Sequence, residues 1–234
     1  MLGIDIAAFR ARCDQAGLDI VHPFSVGWFN GDVQTSLRLP DFGRPGALGI
    51  LVGNNHRLWP AFTGALRKDA ALVDAEHPLD AYVERALSDA AGQSITDRYV
   101  ILWAHRTTPA PIAIQRVAHA GGLAHLSPSQ LSIHPNYGPW WALRAVIVVD
   151  TDGPTTERRR APDPCTACSK PCLAAFERAL AATDLGRPGD VELQWRPWAN
   201  VREVCPEGQA FRYGDDQLRY HYAKDRSILR LLVR

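Results

Sequence analysis

Runs of apolar positions alternate along this chain with segments in which apolar residues recur every three or four positions. Ile4 to Ala16 has the helical spacing, and the LDIVHPFSVGWF stretch that follows has strand-like apolar runs broken at Pro23. GALGILVGN, RYVILWAH and WWALRAVIVVD read as buried strands, the first bounded by glycines. HRLWPAFTGALRKD and PLDAYVERALSDAAG read as helices, with Pro78 suited to a first turn, and PIAIQRVAHAGG as a helix stopped by glycine. From Thr151 to Pro164 the chain turns charged and proline-containing, so the sheet core is expected to end near residue 150 and a covering segment to fill 151–234. Within that cover CLAAFERALAAT and GDDQLRYHYAK are helical in pattern, and SILRLLVR is expected to return as a closing strand. The order is α+β, with no internal repeat, in what the pattern suggests is one compact domain.

Composition narrows the function classes. Lys and Arg number 26 against 25 Asp and Glu, so no global field draws in nucleic acid or a membrane surface, and an anion site must come from local clustering. The N-terminal segment carries Asp5, Arg10, Arg12 and Asp14 among its apolar residues, unlike a signal-peptide core, and no uncharged run reaches spanning length. A cytoplasmic protein, monomer or homodimer, is expected. No phosphate-binding glycine loop, dinucleotide fingerprint, HExxH run or Ser/His/Asp order is present.

Two stretches carry candidate chemistry. PDPCTACSKPC places Cys165, Cys168 and Cys172 in a C-x2-C-x3-C spacing, with Cys205 as a fourth thiolate. Clustered, odd-numbered cysteines in a reducing compartment read as metal ligands, and four thiolates suit an iron–sulfur cluster or a structural zinc, or else are leftover thiols. The spacing matches the last three cysteines of the bacterial ferredoxin run, and Arg158 to Arg160 offer charge to offset the thiolates. Cys13, alone on the first helix, reads as a core thiol. SIHPNYGPWWALRAVIVV is the second stretch. Adjacent Trp140 and Trp141 cannot both point inward from an extended segment, so at least one is expected to face a cavity or partner. Arg144 interrupts an apolar strand and needs an anion or carbonyls; Arg196 and Arg226 recur near aromatics, as a clamp or as scattered surface residues. His119 lies on the apolar side of its helix pattern, a core residue or a ligand, and His125 and Gln115 are open in the same way.

Taken in order, HPFSVGWFN, LDAYVERAL, IQRVAHAGG, IHPNYGPWWALRAVIVV and LQWRPWANVREV resemble the cobalamin-processing proteins of the cblC type, cyanocobalamin reductases and alkylcobalamin dealkylases, from Val21 to Leu232. The resemblance implies a nitroreductase-like α+β fold, a mixed sheet flanked by helices with a cysteine-containing cap, and cobalamin held base-off. Its corrin contacts correspond to Ile112, Ala113, Ile114 and Gln115, to Leu126, Ser127 and Pro128, and to Ser132 and Leu143, with His119 beside the ligand. Its three glutathione-holding arginines correspond to Arg144, Arg196 and Arg226. The chain is also similar to epoxyqueuosine reductase, which pairs a cobalamin domain with two four-iron clusters; CTACSKPC stands where that region begins, while Thr108 stands where that family has an acid. The resemblance therefore implies removal of the upper axial ligand, with a 4Fe–4S cluster, a flavin or glutathione as the source of electrons. An iron–sulfur reductase of another substrate and a non-catalytic cobalamin carrier are the alternatives.

Overall fold

The computed structural model describes residues 3–108 and 111–232. Its elements run α1 (Ile6–Gln15), β1 (Ile20–Ser25), α2 (Gly27–Asn30), β2 (Ala47–Asn54), α3 (Leu58–Leu66), α4 (Ala70–Asp74), α5 (Pro78–Ser94) and β3 (Tyr99–Trp103). Then follow α6 (Ile114–Ala120), β4 (His125–Leu126), β5 (Ser132–Ile133), β6 (Ala142–Asp152), α7 (Pro171–Ala181), α8 (Asp190–Leu193), α9 (Trp195–Glu203), α10 (Asp215–Ala223) and α11 (Ser227–Leu232). The α+β class stands. The four-stranded sheet has the order β1-β2-β6-β3 and every described pair in it is antiparallel, where a mixed sheet was expected.

Helices cover both faces of this sheet, which is why its central strands are apolar without alternation. On one face Leu48, Ile50, Val52, Ile147 and Val149 pack against Phe9 of α1, Phe62 of α3 and Val83 and Leu87 of α5. On the other, Phe24, Leu51, Val146 and Val148 meet Phe29 of α2 and Val117 and Ala118 of α6. Each large side chain so buried stabilises the fold by about 1.5–3 kcal/mol. Local signals agree: the Asp5 carboxylate accepts the Ala8 N–H at 3.0 Å to start α1, and Pro78 occupies the first turn of α5.

Two expectations are corrected. Pro23 does not break β1, because β1 is an edge strand and a residue lacking an N–H is tolerated there; it pairs with Ile50. SILRLL is helix α11, not a strand. Asp225 accepts the Ser227 N–H at 3.0 Å and starts a helical turn, and adjacent Ile228 and Leu229 both face inward while Leu231 is exposed. Val233 and Arg234 of that run lie outside the described residues, as do Pro109 and Ala110 of TPAP.

The chain after β6 does two things. Tyr220 and Leu229 join the sheet's first core, whereas α7 and α9 share a small core of their own built on Cys172, Ala175, Ala179 and Val201. The seam between this cover and the body is closed by backbone contact. Gly138 and Gly208 both have positive φ (55° and 66°), and a β-carbon on either would run into the other's loop, so neither site accepts a larger residue.

Candidate functional site

Along the seam the structure places three cavities that share walls. The first, about 230 Å³, is lined by Ile114 and Gln115 at the start of α6, Leu131 and Ser132, Trp141, and Leu143 on β6. Four of the corrin-contact candidates, Ile114, Gln115, Ser132 and Leu143, thus converge. Ile112 and Ala113 pack behind them, Leu126 pairs with Ser132 across the β4-β5 hairpin, and Pro128 is exposed. Trp141 donates from Nε1 to the Ser132 carbonyl at 2.8 Å and presents its ring, while the Ser132 hydroxyl is buried without a partner. Both tryptophans are buried: Trp140 points the opposite way, onto Tyr213 of the cover at 5.6 Å. The expectation that one of them faces a cavity holds for Trp141.

His119 is exposed rather than set in a core, because the buried face of α6 is formed by Val117, Ala118 and Ala120. Its Nδ1 accepts the Leu126 N–H at 3.2 Å, and His125 lies edge-on to it at 5.8 Å. Gln115 donates to the Gln130 carbonyl at 2.9 Å. No histidine is among the described lining residues of the cavity.

The second cavity, about 210 Å³, shares Ala142 and Arg202 with the first and is bounded as well by Arg144, Tyr213, His221 and Tyr222. Arg144 donates from Nε to buried Asn54 at 2.7 Å, which fixes the guanidinium plane and leaves Nη2 buried without an acceptor. Burial lowers the pKa of Arg144. Burial also works against the Arg202 charge, but Tyr222 and Tyr213 leave its pKa raised overall. The Tyr213 hydroxyl has no partner either. Two guanidiniums thus face a space whose described lining holds no carboxylate, an arrangement that suits an anion. The third cavity, about 540 Å³, continues past Arg144 and His221 to Asp80, His105, Lys224 and Arg226.

Of the three candidate arginines, Arg144 lines both the second and the third cavity. Arg226 shares the third cavity with it, but donates to the carbonyls of Val73, Ala75 and Glu76 at 3.2, 2.7 and 3.3 Å. Arg196 is exposed and stacks over Trp195 at 4.7 Å, because it sits on the outer side of α9. Arg202, six residues later on the same helix, is the one turned to Arg144. The sequence signal was the spacing of Trp195, Trp198 and Arg202, three then four residues apart on the inward stripe. His221 and Tyr213 were missed as well, since nothing in their local pattern marks a cavity wall.

All four candidate cysteines line one small pocket, with Ser127, Ile133 and Lys170. Cys172 opens α7, Cys205 follows α9, and both are buried; Cys165 and Cys168 are half-buried. Lys170 adopts the left-handed conformation (φ 56°, ψ 50°), from which its N–H donates to the Cys168 Sγ at 3.3 Å. The Cys165 pKa is pushed up to about 11, first by burial, then by Asp163 and the other three thiols. Arg158 is occupied elsewhere, donating to Asp32 at 2.7 Å and to the Ala120 carbonyl at 2.8 Å. Cys13 is a core thiol as expected, its pKa pushed up to about 12 by burial. Among the described residues, the one group of three ligand-type side chains whose donor atoms lie within 4.8 Å of one another is His125, Asp163 and Cys165.

Comparison with solved structures gives the class of fold. The chain superposes on the B12-trafficking protein CblC of C. elegans with a TM-score of 0.73 at 18% identity, over 98% of this chain and 95% of that one. An epoxyqueuosine reductase from Streptococcus thermophilus matches with a TM-score of 0.52 at 11% identity, over 98% of this chain and 80% of that one. Among curated proteins, cyanocobalamin reductase / alkylcobalamin dealkylase of Danio rerio is 21% identical over 92% of this chain and 86% of that protein. Its Mus musculus counterpart is 24% identical over 91% and 76%. No family model matches the chain.

Proposed function

We propose that this chain is a cobalamin-processing oxidoreductase that removes the upper axial ligand, by reductive decyanation or by thiol-dependent dealkylation. The observation that carries the reading is the shared wall between a cavity at the expected corrin contacts, with an apolar side of Ile114, Trp141 and Leu143, and a pair of guanidiniums with no carboxylate in the described lining, Arg202 lining both. The likeness to two curated cyanocobalamin reductases and to CblC supports it.

The residues present fit cobalamin. A corrin needs an apolar plate for its face and polar atoms for its amide edge; Trp141, Leu143 and Ile114 supply the plate, and the unpartnered Ser132 hydroxyl supplies an edge contact. The base-off form is the one that the sequence resemblance implies. Bound there, cobalamin would supply the metal whose reduction frees the ligand. The chain's own part is to cover a face of the ring with Ile114, Trp141 and Leu143 and to position a thiol by its carboxylate on Arg144 and Arg202.

Cys165, Cys168, Cys172 and Cys205 would hold a 4Fe–4S cluster, supplying low-potential electrons beside the cavity. Strand β5 is the partition: Ser132 lines the cobalamin cavity and Ile133, the next residue, lines the thiol pocket. The five unpaired thiols fit a reducing, cytoplasmic compartment, and no described helix is long and apolar enough to cross a membrane. Residues 1–150 form the cobalamin-binding body of this reading and 151–234 its cap.

Anaerobic incubation with cyanocobalamin and a low-potential reductant tests it. Release of cyanide at a rate that falls in Cys205→Ser is expected, with about four irons per chain in the parent. Cobalamin bound without turnover would make the chain a carrier, and a colourless, iron-free protein with full activity would remove the cluster.

A further inference from the structure

His221 occupies a position that the reading above does not use. Located on α10, it lines both the cavity of the paired arginines and the larger one beyond it. Its ring lies among Trp59, Tyr213 and Tyr220, with centroids 6.2, 5.7 and 5.6 Å away. Only the Gln217 side-chain amide, 3.5 Å from Nε2, contacts a ring nitrogen among the described residues. An imidazole walling a space built for an anion, beside two guanidiniums, is a group with one evident task.

We propose that His221 accepts the thiol proton of an anionic thiol whose carboxylate rests on Arg144 and Arg202, and that arrival of the anion makes the imidazole a competent base. The inference rests on the anion-site reading and deepens it. With the cavity free of anion, burial, Arg144, Arg202 and Lys224 hold the imidazole well below its usual pKa, so it stays neutral. Across the larger cavity Asp80, Glu76 and Glu192 face it together with His77, His105 and Arg226, an assortment of both signs that leaves the two near arginines as the dominant charges. A carboxylate placed on those arginines cancels their repulsion and raises the ring's proton affinity where a thiol is brought beside it. The step balances simply: the S–H bond breaks, its electron pair stays on sulfur, and the proton passes to a ring nitrogen. The imidazolium so formed favours the thiolate beside it. A thiol lacking a carboxylate would leave the arginines uncompensated and the base off, which makes the anion a condition for activation as well as for binding.

The test needs no cobalamin. S-Methylglutathione carries the carboxylates without the thiol, and the His221 ring resonances, assigned by their loss in His221→Gln, are followed by NMR against pH with and without it. A rise of about one pH unit or more on binding is expected. With glutathione itself, the thiolate absorbance per bound ligand at neutral pH should fall by about fivefold or more in His221→Gln. An imidazole whose titration does not move in the wild-type protein, or a thiolate fraction unchanged in the variant, overturns the proposal and leaves the anion site standing. Failure of S-methylglutathione to bind the wild-type protein overturns the anion site itself, and the proposal with it.

Discussion

The sheet and the seam use the same chain in opposite ways. In the sheet and the helices packed on it, Ile50, Leu51, Ile147 and Val148 are fully buried, and buried polar groups such as Asn30 of α2 are satisfied, its side chain bonding the Leu39 backbone at 2.9 Å in both directions. At the seam the satisfied state ends: Ser132 Oγ, Trp140 Nε1, Arg144 Nη2 and Tyr213 Oη are all buried without partners, and of the described unsatisfied atoms only Ser94 Oγ lies elsewhere. An unpaired buried polar atom costs about 1–3 kcal/mol, so a cluster of them is stability given up where a ligand can return it. The sheet supplies the excess from which that cost is met.

This contrast makes graded predictions. Ile147→Ala, in the centre of β6, should destabilise the protein by about 3–4 kcal/mol in denaturant unfolding while leaving cobalamin stoichiometry at the seam intact. Arg202→Ala and Arg144→Ala should each lower thiol-dependent dealkylation by about 10–100-fold, the equivalent of about 1.5–3 kcal/mol, with a smaller change in cobalamin affinity. Equal losses in the two assays would make these arginines structural. Similar in size to the arginine effects is a pH effect. His134 stacks on Tyr137 at 4.5 Å, its Nδ1 accepts the Asn136 N–H at 3.1 Å, and burial followed by His22 lowers its pKa from 6.5 to about 4. The unfolded chain binds this proton more readily than the native one, so stability from the neutral ring is present above pH 6.5 and is lost as pH falls toward 4. After solvent screening the share of His134 should be on the order of 2 kcal/mol, read as a smaller drop in unfolding midpoint for His134→Gln, with the part due to His22 and His221, also held low by burial, still present. The smallest effect is expected for Arg196→Ala, at most about twofold in dealkylation, since the residue stacks on an exposed face of α9.

The same contrast explains what was legible in the sequence. Strands β2 and β6 could be read because burial on both faces leaves an unbroken apolar run, and α5 because Pro78 marks its start. Closure of the cover was harder. SILRLL has an apolar pattern compatible with strand or helix, and only the Asp225–Ser227 contact and the pair of inward neighbours decide it. The cysteines were legible from spacing, and their meeting in one pocket follows from α7 and α9 packing together, which spacing does not reveal. Arg196 and Arg202 differ only in which side of one helix they occupy. Local aromatic context pointed to the first, and tertiary packing uses the second.

The account stands most directly on the cavity beside Trp141. Absorption spectroscopy of methylcobalamin titrated with the protein should show conversion to the base-off form at saturation, because a ring face laid on the plate of Trp141, Leu143 and Ile114 must give up the base that covers it. A spectrum that remains base-on with the cofactor fully bound would contradict it.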